Sequence, residues 1–185
     1  MQNTMARKEH RDLSSLLIFF TLYSVVGWLY EVFLEVVVYR WGFTNRGVLF
    51  GPYCPVYGFG ALAFILLVYP LIRNKQYRDR LKWIPVVFLL CMLIATAIEL
   101  GTSYALEAIT GSWPWQTYAD YKLNFQARIA LSPSVRFGLG GVFFLYVLQP
   151  VFEKLAALLG DRRRMAAAVI AAVFAADIVY TLFFR

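Results

Sequence analysis

The run Leu13–Tyr30, LSSLLIFFTLYSVVGWLY, contains no charged residue and decides the class of fold. A helix needs about 20 mainly apolar residues to cross the hydrocarbon core of a bilayer. The apolar run continues to Tyr39, interrupted only by Glu31 and Glu35, and no small-residue cleavage pattern ends it. We therefore predict a retained transmembrane helix, because a secretory signal peptide ends at such a pattern.

The composition extends this prediction to the whole chain. The 185 residues are 61% hydrophobic and 16% charged, whereas a soluble domain has about 45–50% apolar and about 25% charged residues. These values exclude a water-soluble single domain, and the hydrophobicity also excludes disorder. Cys54 and Cys91 lack CxxC partners, and His10 is the single histidine. No disulfide framework, metal site or cofactor is therefore expected.

The predicted fold is an all-α, polytopic transmembrane helix bundle that forms one membrane domain over residues 1–185. Strands are not expected, because a membrane barrel would show alternating segments of about ten residues. Five stretches have the length and composition of spans, and they are residues 13–39, 55–72, 83–109, 134–159 and 165–184.

The basic residues predict an orientation, because Lys and Arg collect in cytoplasmic loops. Twelve fall in the N-terminal tail and in the loops after the second and fourth spans: Arg7, Lys8, Arg11, Arg73, Lys75, Arg78, Arg80, Lys82, Lys154, Arg162, Arg163 and Arg164. The other six are Arg40, Arg46, Lys122, Arg128, Arg136 and Arg185. This split predicts a cytoplasmic N-terminus and an external C-terminus in the plasma (inner) membrane.

The same split explains the net charge of +7. The cytoplasmic face carries five acids against its twelve bases, whereas six acids balance the six bases outside. The net charge is therefore an orientation signal, so the expected partner is the lipid bilayer and nucleic acid is excluded.

The connection at about 111–133 differs from the basic loops. It carries Trp113, Trp115, Tyr118 and Tyr121 and lies on the predicted outer side. Aromatic side chains of this kind collect at the lipid interface. The segment is therefore predicted to be interfacial or re-entrant, and re-entry is tolerated only against protein or a water-filled cavity.

Residues 13–72 and 83–159 show a common order of features. Each has two acids late in a span, an Arg-x-x-Leu sequence, a proline, an aromatic-Gly-x-Gly sequence and a second span. This order predicts parallel internal repeats, an arrangement used by some transporters. The alternative is that helix starts near the interface commonly share Gly, Pro and aromatic residues.

Acids inside the predicted spans are the strongest signal of chemistry. Glu31, Glu35, Glu99, Glu107 and Asp177 all lie past the midpoints of their spans, in the predicted outer half. Insertion scales put an ionised carboxylate at the membrane centre at a cost of about 2.5–3.5 kcal/mol, so such groups face the bundle or water.

Two interpretations of these acids stay open. The functional one is an outward-facing polar pocket, with substrate-binding candidates Glu31, Glu35, Asn45, Arg46, Glu99, Asn124 and Arg128. The structural one pairs the acids with Arg46, Arg128 and Arg136. Glu107 and Arg136 are expected to be structural, as are Gly51, Pro52, Gly58 and Gly60. Asp177 follows a ladder of alanines, at 168, 172 and 176, that predicts close helix packing with one buried polar contact.

Several catalytic motifs are absent from the sequence. It contains no G-x-x-x-x-G-K-[ST] phosphate loop, so an ATPase would have to be another chain. It also contains neither H-E-x-x-H nor G-x-S-x-G. Catalysis by histidine inside the membrane is excluded, because His10 lies in the tail.

Two sequence blocks carry a resemblance to a known family. YSVVGWLYE at 23–31, followed by NRGVLFGPYCPVYGFG at 45–60, resembles the bacterial membrane family labelled putative ABC-transporter type IV, or CmpB-like. The second half matches the family pattern at Glu99, Glu107, Gly111, Trp115, Tyr118, Asn124, Arg128, Leu131, Ser134 and Gly138. Ala127 stands where the family has Gly, Phe137 where it has Trp, and Pro114 and Gln116 alter a W-D-Y stretch. The resemblance implies a polytopic membrane protein of permease type with no established substrate.

Three functions remain as hypotheses. The first is a transport-type component for a small cation, a zwitterion or a lipid headgroup, working with a separate ATPase or another membrane subunit on the cytoplasmic loops. The second is a structural or regulatory membrane subunit without its own site. The third is an intramembrane enzyme that acts on a lipid or lipid-linked substrate, with Glu31 or Glu99 as general base. An enzyme is less favoured than a protein without catalytic activity. Size alone favours a homodimer.

Overall fold

The computed structural model describes residues 12–184. Arg7, Lys8, Arg11 and Arg185 of the orientation argument lie outside these residues, so the predicted orientation stays a prediction. The α-helices of the described chain are α1 Leu13–Phe33, α2 Pro55–Leu67, α3 Tyr77–Lys82, α4 Ile84–Thr110, α5 Leu131–Phe143, α6 Gln149–Leu158 and α7 Arg163–Phe184.

Short elements connect these helices. The π-helical turns are Leu34–Val38, after α1, and Phe144–Leu148, between α5 and α6. The 3₁₀ turns are Tyr69–Leu71, Gln116–Asp120 and Gly160–Arg162. The expectation of no strands is wrong at one place, where β1 Asn124–Phe125 pairs antiparallel with β2 Ile129–Ala130.

Within residues 12–184, four helical stretches are long and apolar enough to cross a membrane. They are Leu13–Val38, Ile84–Thr110, Leu131–Leu158 and Gly160–Phe184. They coincide with the first, third, fourth and fifth predicted spans, so the helical membrane class is confirmed. The second predicted span corresponds to a shorter apolar helix, Pro55–Leu71. There the α-helix ends at Leu67, and the 3₁₀ turn Tyr69–Leu71 that follows contains Pro70, whose nitrogen cannot donate a hydrogen bond. The count of five spans stays a prediction.

The described residues fall into two compact units. The first unit comprises the chain up to Leu62 and again from Pro150 onward, and the second comprises Ala63–Gln149. The first unit therefore contains α1, the loop at 39–54, the start of α2, α6 from Pro150, and α7. The second contains α3, α4, the aromatic segment at 111–133 and α5.

The first unit is held by aromatic packing on α1. The Tyr23 ring is fully buried and lies 4.9 Å from the Phe152 ring. Phe20 packs 5.5 Å from Phe174 of α7 and 4.9 Å from Phe59 of α2. Rings at these separations add about 0.5–1.5 kcal/mol per pair beyond their buried area.

Glycines bring α1 and α2 close together. A Cβ added to Gly58 would overlap the Phe20 carbonyl oxygen and ring and the Ser24 hydroxyl, and one on Gly27 would overlap the Tyr57 ring. A Cβ added to Gly60 would meet nothing within 4 Å. Of these two glycines, both expected to be structural, Gly58 makes the close contact between α1 and α2 and Gly60 does not.

Gly58→Ala is expected to lower the free energy of unfolding by about 1–3 kcal/mol, because the added methyl overpacks the α1–α2 contact. Gly60→Ala is the matched control, and we expect a gain of up to about 1 kcal/mol from helix propensity. Thermal unfolding in detergent measures both variants. Equal effects at the two positions would contradict this packing.

The second unit is built on α4 and α5. Gly138 of α5 lies against Phe88 of α4, and Gly141 lies against Cys91. Val87, Cys91 and Leu145 are fully buried. Small residues that let helix backbones approach are typical of helix contacts in membranes.

The π-helical turn Phe144–Leu148 has a local cause in the sequence. Pro150 cannot donate to the preceding turn, and a π-helical turn relieves the clash of its ring with the helix backbone. Arg80 donates from Nη2 to the Leu145 carbonyl at 2.8 Å, and Tyr146 donates to the Arg80 carbonyl at 2.7 Å. A carbonyl in the irregular turn thus gains a charged donor from α3.

Candidate functional site

Glu35 binds the loop at 39–54 to the end of the first membrane helix. Its carboxylate is 3% exposed and accepts from the Thr44 hydroxyl at 2.5 Å and from the Thr44 amide at 3.2 Å. Arg46 forms an ion pair with the same carboxylate at 3.1 Å. The chain can return in this way because Arg40, with φ 55°, reverses its direction after the π-helical turn. Two of the predicted binding residues therefore bind each other.

Asn45 bridges α1 and the loop. Its Oδ1 accepts from the Trp28 indole at 2.8 Å, and its Nδ2 donates to the Phe50 carbonyl at 2.7 Å. Gly47 follows with φ 101°, a left-handed conformation that glycine adopts without strain. In this structure Asn45 shapes the loop.

Asp177 of α7 anchors the end of the same loop. It accepts from the amides of Phe50 at 2.9 Å and Gly51 at 2.8 Å, and from the Tyr53 hydroxyl. Thr181 adds a donor at 3.1 Å. Burial and the Asp177 carboxylate raise the pKa of the Tyr53 phenol, so Tyr53 keeps its proton and donates.

Asp177 therefore makes four polar contacts where the sequence predicted one. The prediction that the alanine ladder packs closely is not met within the first unit, because Ala168, Ala172 and Ala176 are exposed. The hydrogen bonds that Asp177 accepts from the loop, and not close helix packing, explain why its carboxylate is buried.

Glu31 has a tyrosine as its partner. The Tyr57 hydroxyl, at the start of α2, donates to Glu31 Oε1. Tyr57 also fills the space over Gly27, so the bond and the helix contact support each other.

Arg128 is the centre of the polar cluster in the second unit. It is 6% exposed, forms an ion pair with Glu107 of α4, and donates to the Ser103 hydroxyl at 3.4 Å. Its guanidinium lies 4.0 Å from the Trp113 ring centroid and 4.1 Å from that of Tyr104. Such cation–π contacts strengthen when they are desolvated. Arg128 thus fastens the aromatic segment to α4.

Arg136, predicted as a further counterion, is exposed and donates to Ser132 of its own helix at 3.3 Å. Among the described residues, the ion pairs join Arg46 to Glu35, Arg128 to Glu107 and Lys82 to Asp79. The structural pairing proposed for Arg136 is therefore not present in this part of the chain.

Asn124 shapes the hairpin that carries Arg128. Its Oδ1 accepts from the Ala127 amide at 3.0 Å and its Nδ2 donates to the Tyr121 carbonyl at 2.7 Å. Gln126 and Ala127 have φ of 52° and 56°, and the Arg128 amide donates to the Phe125 carbonyl at 2.9 Å. Two left-handed central residues define a type I′ turn, which favours Asn and Gly.

Ala127→Gly is expected to raise the free energy of unfolding by about 1 kcal/mol, because glycine removes the strain of a left-handed alanine. For a chain of this size that is a rise in Tm of about 2–4 °C. Ala130→Gly, at φ −145°, is the control and is expected to lower Tm. A lower Tm for Ala127→Gly would contradict the turn.

Glu99 differs from these tied acids. Its Oε1 accepts from the Tyr118 hydroxyl at 2.9 Å. Its Oε2 is buried and has no hydrogen-bond partner. Among the described residues it is the one carboxylate oxygen that is buried without a partner. A buried polar atom left unpaired costs about 1–3 kcal/mol, and more when the group is charged. Such unpaired buried groups are rare in native proteins.

The structure thus divides the predicted binding set. Glu31, Glu35, Asn45 and Arg46 lie in the first unit, and Glu99, Asn124 and Arg128 lie in the second. That they form one pocket stays a prediction. The partners missed from the sequence are mainly hydroxyls, namely Thr44, Tyr53, Tyr57 and Tyr118, together with the Trp113 ring. One feature of the sequence could have indicated these partners. Each acid inside a span needs a hydrogen-bond donor, and the adjoining segments are rich in hydroxyl groups.

A family model for the putative ABC-transporter type IV family matches residues 18–182. The chain belongs to this family. No curated protein and no solved structure matches the chain. The family assignment confirms the resemblance found from the two sequence blocks. The left-handed turn at Ala127 also gives a physical reason for the glycine that the resemblance places there, because glycine is unstrained in that conformation.

Proposed function

We propose that this protein is a transport-type component of the plasma membrane that binds a small cation or zwitterion from the outer side. Membership of the putative ABC-transporter type IV family and the apolar helices support a transporter-like membrane protein. The family label implies ATP as the energy source, and the chain has no phosphate loop. We therefore include a separate ATPase, docked on the basic cytoplasmic loops, in the proposal.

Glu99 is the observation that carries this proposal. Its carboxylate keeps one buried oxygen without a donor, inside a helix long enough to span the membrane. A negative oxygen in that position favours a positively charged ligand group. Glu35, Arg46, Glu107 and Arg128 support the proposal less, because they already bind one another in pairs.

The recurrence of two kinds of contact supports the repeated organisation seen in some transporters. A tyrosine binds the first acid in each half, giving Glu31–Tyr57 and Glu99–Tyr118. An arginine binds the second, giving Glu35–Arg46 and Glu107–Arg128. Gly58 lies against Phe20 and Gly138 against Phe88, and each phenylalanine precedes the first acid of its half by eleven residues. The internal repeat stays a prediction that these contacts favour.

A structural or regulatory subunit without its own site is the second candidate. The observation in its favour is that the acids other than Glu99 bind loops or a neighbouring helix, most fully at Asp177. The enzyme hypothesis needs arginines that can hold a phosphate. It receives less support, because Arg46 and Arg128 both bind carboxylates.

Ligand-dependent thermal unfolding tests the transport proposal. Purified protein is heated in detergent with choline, glycine betaine or tetramethylammonium. We expect at least one probe, at about 100 times its Kd, to raise Tm by about 5–10 °C. Glu99→Gln should abolish that rise and stay folded, whereas Asp120→Asn, which removes an exposed acid of the same outer segment, should keep it. A probe shift that survives Glu99→Gln, or no shift with any probe, would favour the structural subunit.

A further inference from the structure

We propose that the Glu99 carboxyl is a reversible proton-binding site, with the proton taken up on Oε2. This inference rests on the proposed function, because it names the proton as a second ligand of the same carboxylate. A proton and the cationic group of a solute would then compete for one oxygen. Binding of the solute would release the proton, and protonation would release the solute.

The first support is the contrast with the other acids in the spans. Glu35 has two donors from Thr44 and the Arg46 cation, and Asp177 has four donors, so both are stabilised as carboxylates. Glu107 has the Arg128 guanidinium. Glu31 and Glu99 each have one tyrosine donor and form no ion pair among the described residues, but Glu99 alone of these acids keeps a buried oxygen without a partner. A carboxylate with so little compensation favours its neutral form in an apolar medium.

The groups around Glu99 are neutral or otherwise engaged. From the aromatic segment, Tyr118 faces the carboxylate, and the Tyr121 ring packs 5.6 Å from the Tyr118 ring. Ser134 of α5 accepts from Thr96 of α4 at 2.8 Å and donates to the Ala130 carbonyl at 2.8 Å, so both hydroxyls are already engaged as donors. Arg136 of α5 is the charged group that acts on Tyr118, and it is exposed and bound to Ser132.

Tyr118 is a fixed donor in this arrangement. Burial first, and then the Glu99 carboxylate, raise the pKa of the Tyr118 phenol, so the phenol stays protonated at physiological pH. Its hydrogen bond therefore holds Oε1, and Oε2 is the position left for an incoming proton.

A metal ion fits the site less well than a proton. Ca²⁺ takes six to eight oxygen ligands and Mg²⁺ needs a near-ideal octahedron. The described residues contain no group of three or more His, Cys, Asp and Glu side chains that could hold a metal. A proton needs only the one open oxygen. Taking it up converts the carboxylate to a neutral acid with no change in oxidation state.

Carbodiimide labelling of the wild-type protein tests this site. Dicyclohexylcarbodiimide partitions into bilayers and reacts with protonated carboxyl groups: the acid proton moves to a carbodiimide nitrogen and the carboxyl oxygen adds to the central carbon. Mass spectrometry of peptides locates the adduct. In phosphatidylcholine vesicles we expect the adduct at Glu99 in preference to the other acids of the spans, which are Glu31, Glu35, Glu107 and Asp177. Labelling should fall by about tenfold for each pH unit above its midpoint.

Tyr118→Phe sharpens the test. Removing the donor destabilises the ionised form, so the labelling midpoint should move to higher pH by about one unit. Tyr121→Phe, which changes the neighbouring ring, should leave the midpoint unchanged. Labelling spread evenly over the acids, or independent of pH, would overturn the proton site.

The outcome also separates this inference from the proposed function. Suppose that Glu99 is not labelled, but that choline raises Tm in the wild type and not in Glu99→Gln. That result would overturn the proton site and support the transport proposal. A pH-dependent adduct at Glu99 supports the proton site, even where no probe binds and the transport proposal fails.

Discussion

Arg128→Ala is expected to lower the free energy of unfolding by about 3 kcal/mol. The change removes the cation that lies between the Trp113 and Tyr104 rings and leaves the Glu107 carboxylate without its partner. Breaking a buried pair from one side costs about 3–5 kcal/mol, and we take the lower end because Glu107 is 42% exposed. Thermal unfolding in detergent should show Tm lower by about 6–12 °C.

Arg136→Ala is the matched control for this variant. Arg136 is also an arginine of the second unit and close to the same aromatic segment, but it is exposed and bonded only weakly to Ser132 at 3.3 Å. An exposed side chain of this kind changes stability by about 0.5 kcal/mol or less. Comparable losses in the two variants would show that Arg128 does not fasten the aromatic segment.

Asp177→Asn is expected to lower the free energy of unfolding by about 2–4 kcal/mol. An amide nitrogen would replace one carboxylate oxygen and would face either the Phe50 amide or the Gly51 amide and the Tyr53 hydroxyl, which are donors. A buried donor that loses its acceptor costs about 1–3 kcal/mol. Thermal unfolding measures the loss, and hydrogen exchange at Phe50 and Gly51 should become faster.

Thr181→Val is the control variant against which the loss of stability in Asp177→Asn is compared. It removes one hydrogen bond to Asp177, at 3.1 Å, and leaves the loop donors in place. We expect a loss of about 1 kcal/mol. If Asp177→Asn cost no more than Thr181→Val, the carboxylate would not be the anchor of the loop.

The sequence predicted the helical class because long apolar runs permit few structures in a bilayer. Four of the five predicted spans coincide with long apolar helices. The second differs because Pro70 falls within it and the α-helix has already ended at Leu67. Hydropathy averages over a window, so it detects an apolar run and does not register where one proline ends the helix.

The candidate site could be predicted only in part. The acids and arginines were visible as charges in apolar surroundings, and the structural alternative named the arginines that bind Glu35 and Glu107. The distinct status of Glu99 was not predictable, since it depends on which donors surround each oxygen. Donors such as Tyr118 come from loops, whose course follows from features such as the left-handed turn at Ala127.

The central claim is that Glu99 is reserved for a ligand, whereas the other span acids hold the structure together. The most direct measurement compares Tm for Glu99→Gln and Asp177→Asn at neutral pH in the same detergent, without added solute. Each variant replaces one acid by its amide. We predict that Asp177→Asn lowers Tm and that Glu99→Gln leaves it unchanged or raises it, because a binding group that is unpaired at rest lowers stability. A Tm lowered as much by Glu99→Gln as by Asp177→Asn would contradict the claim.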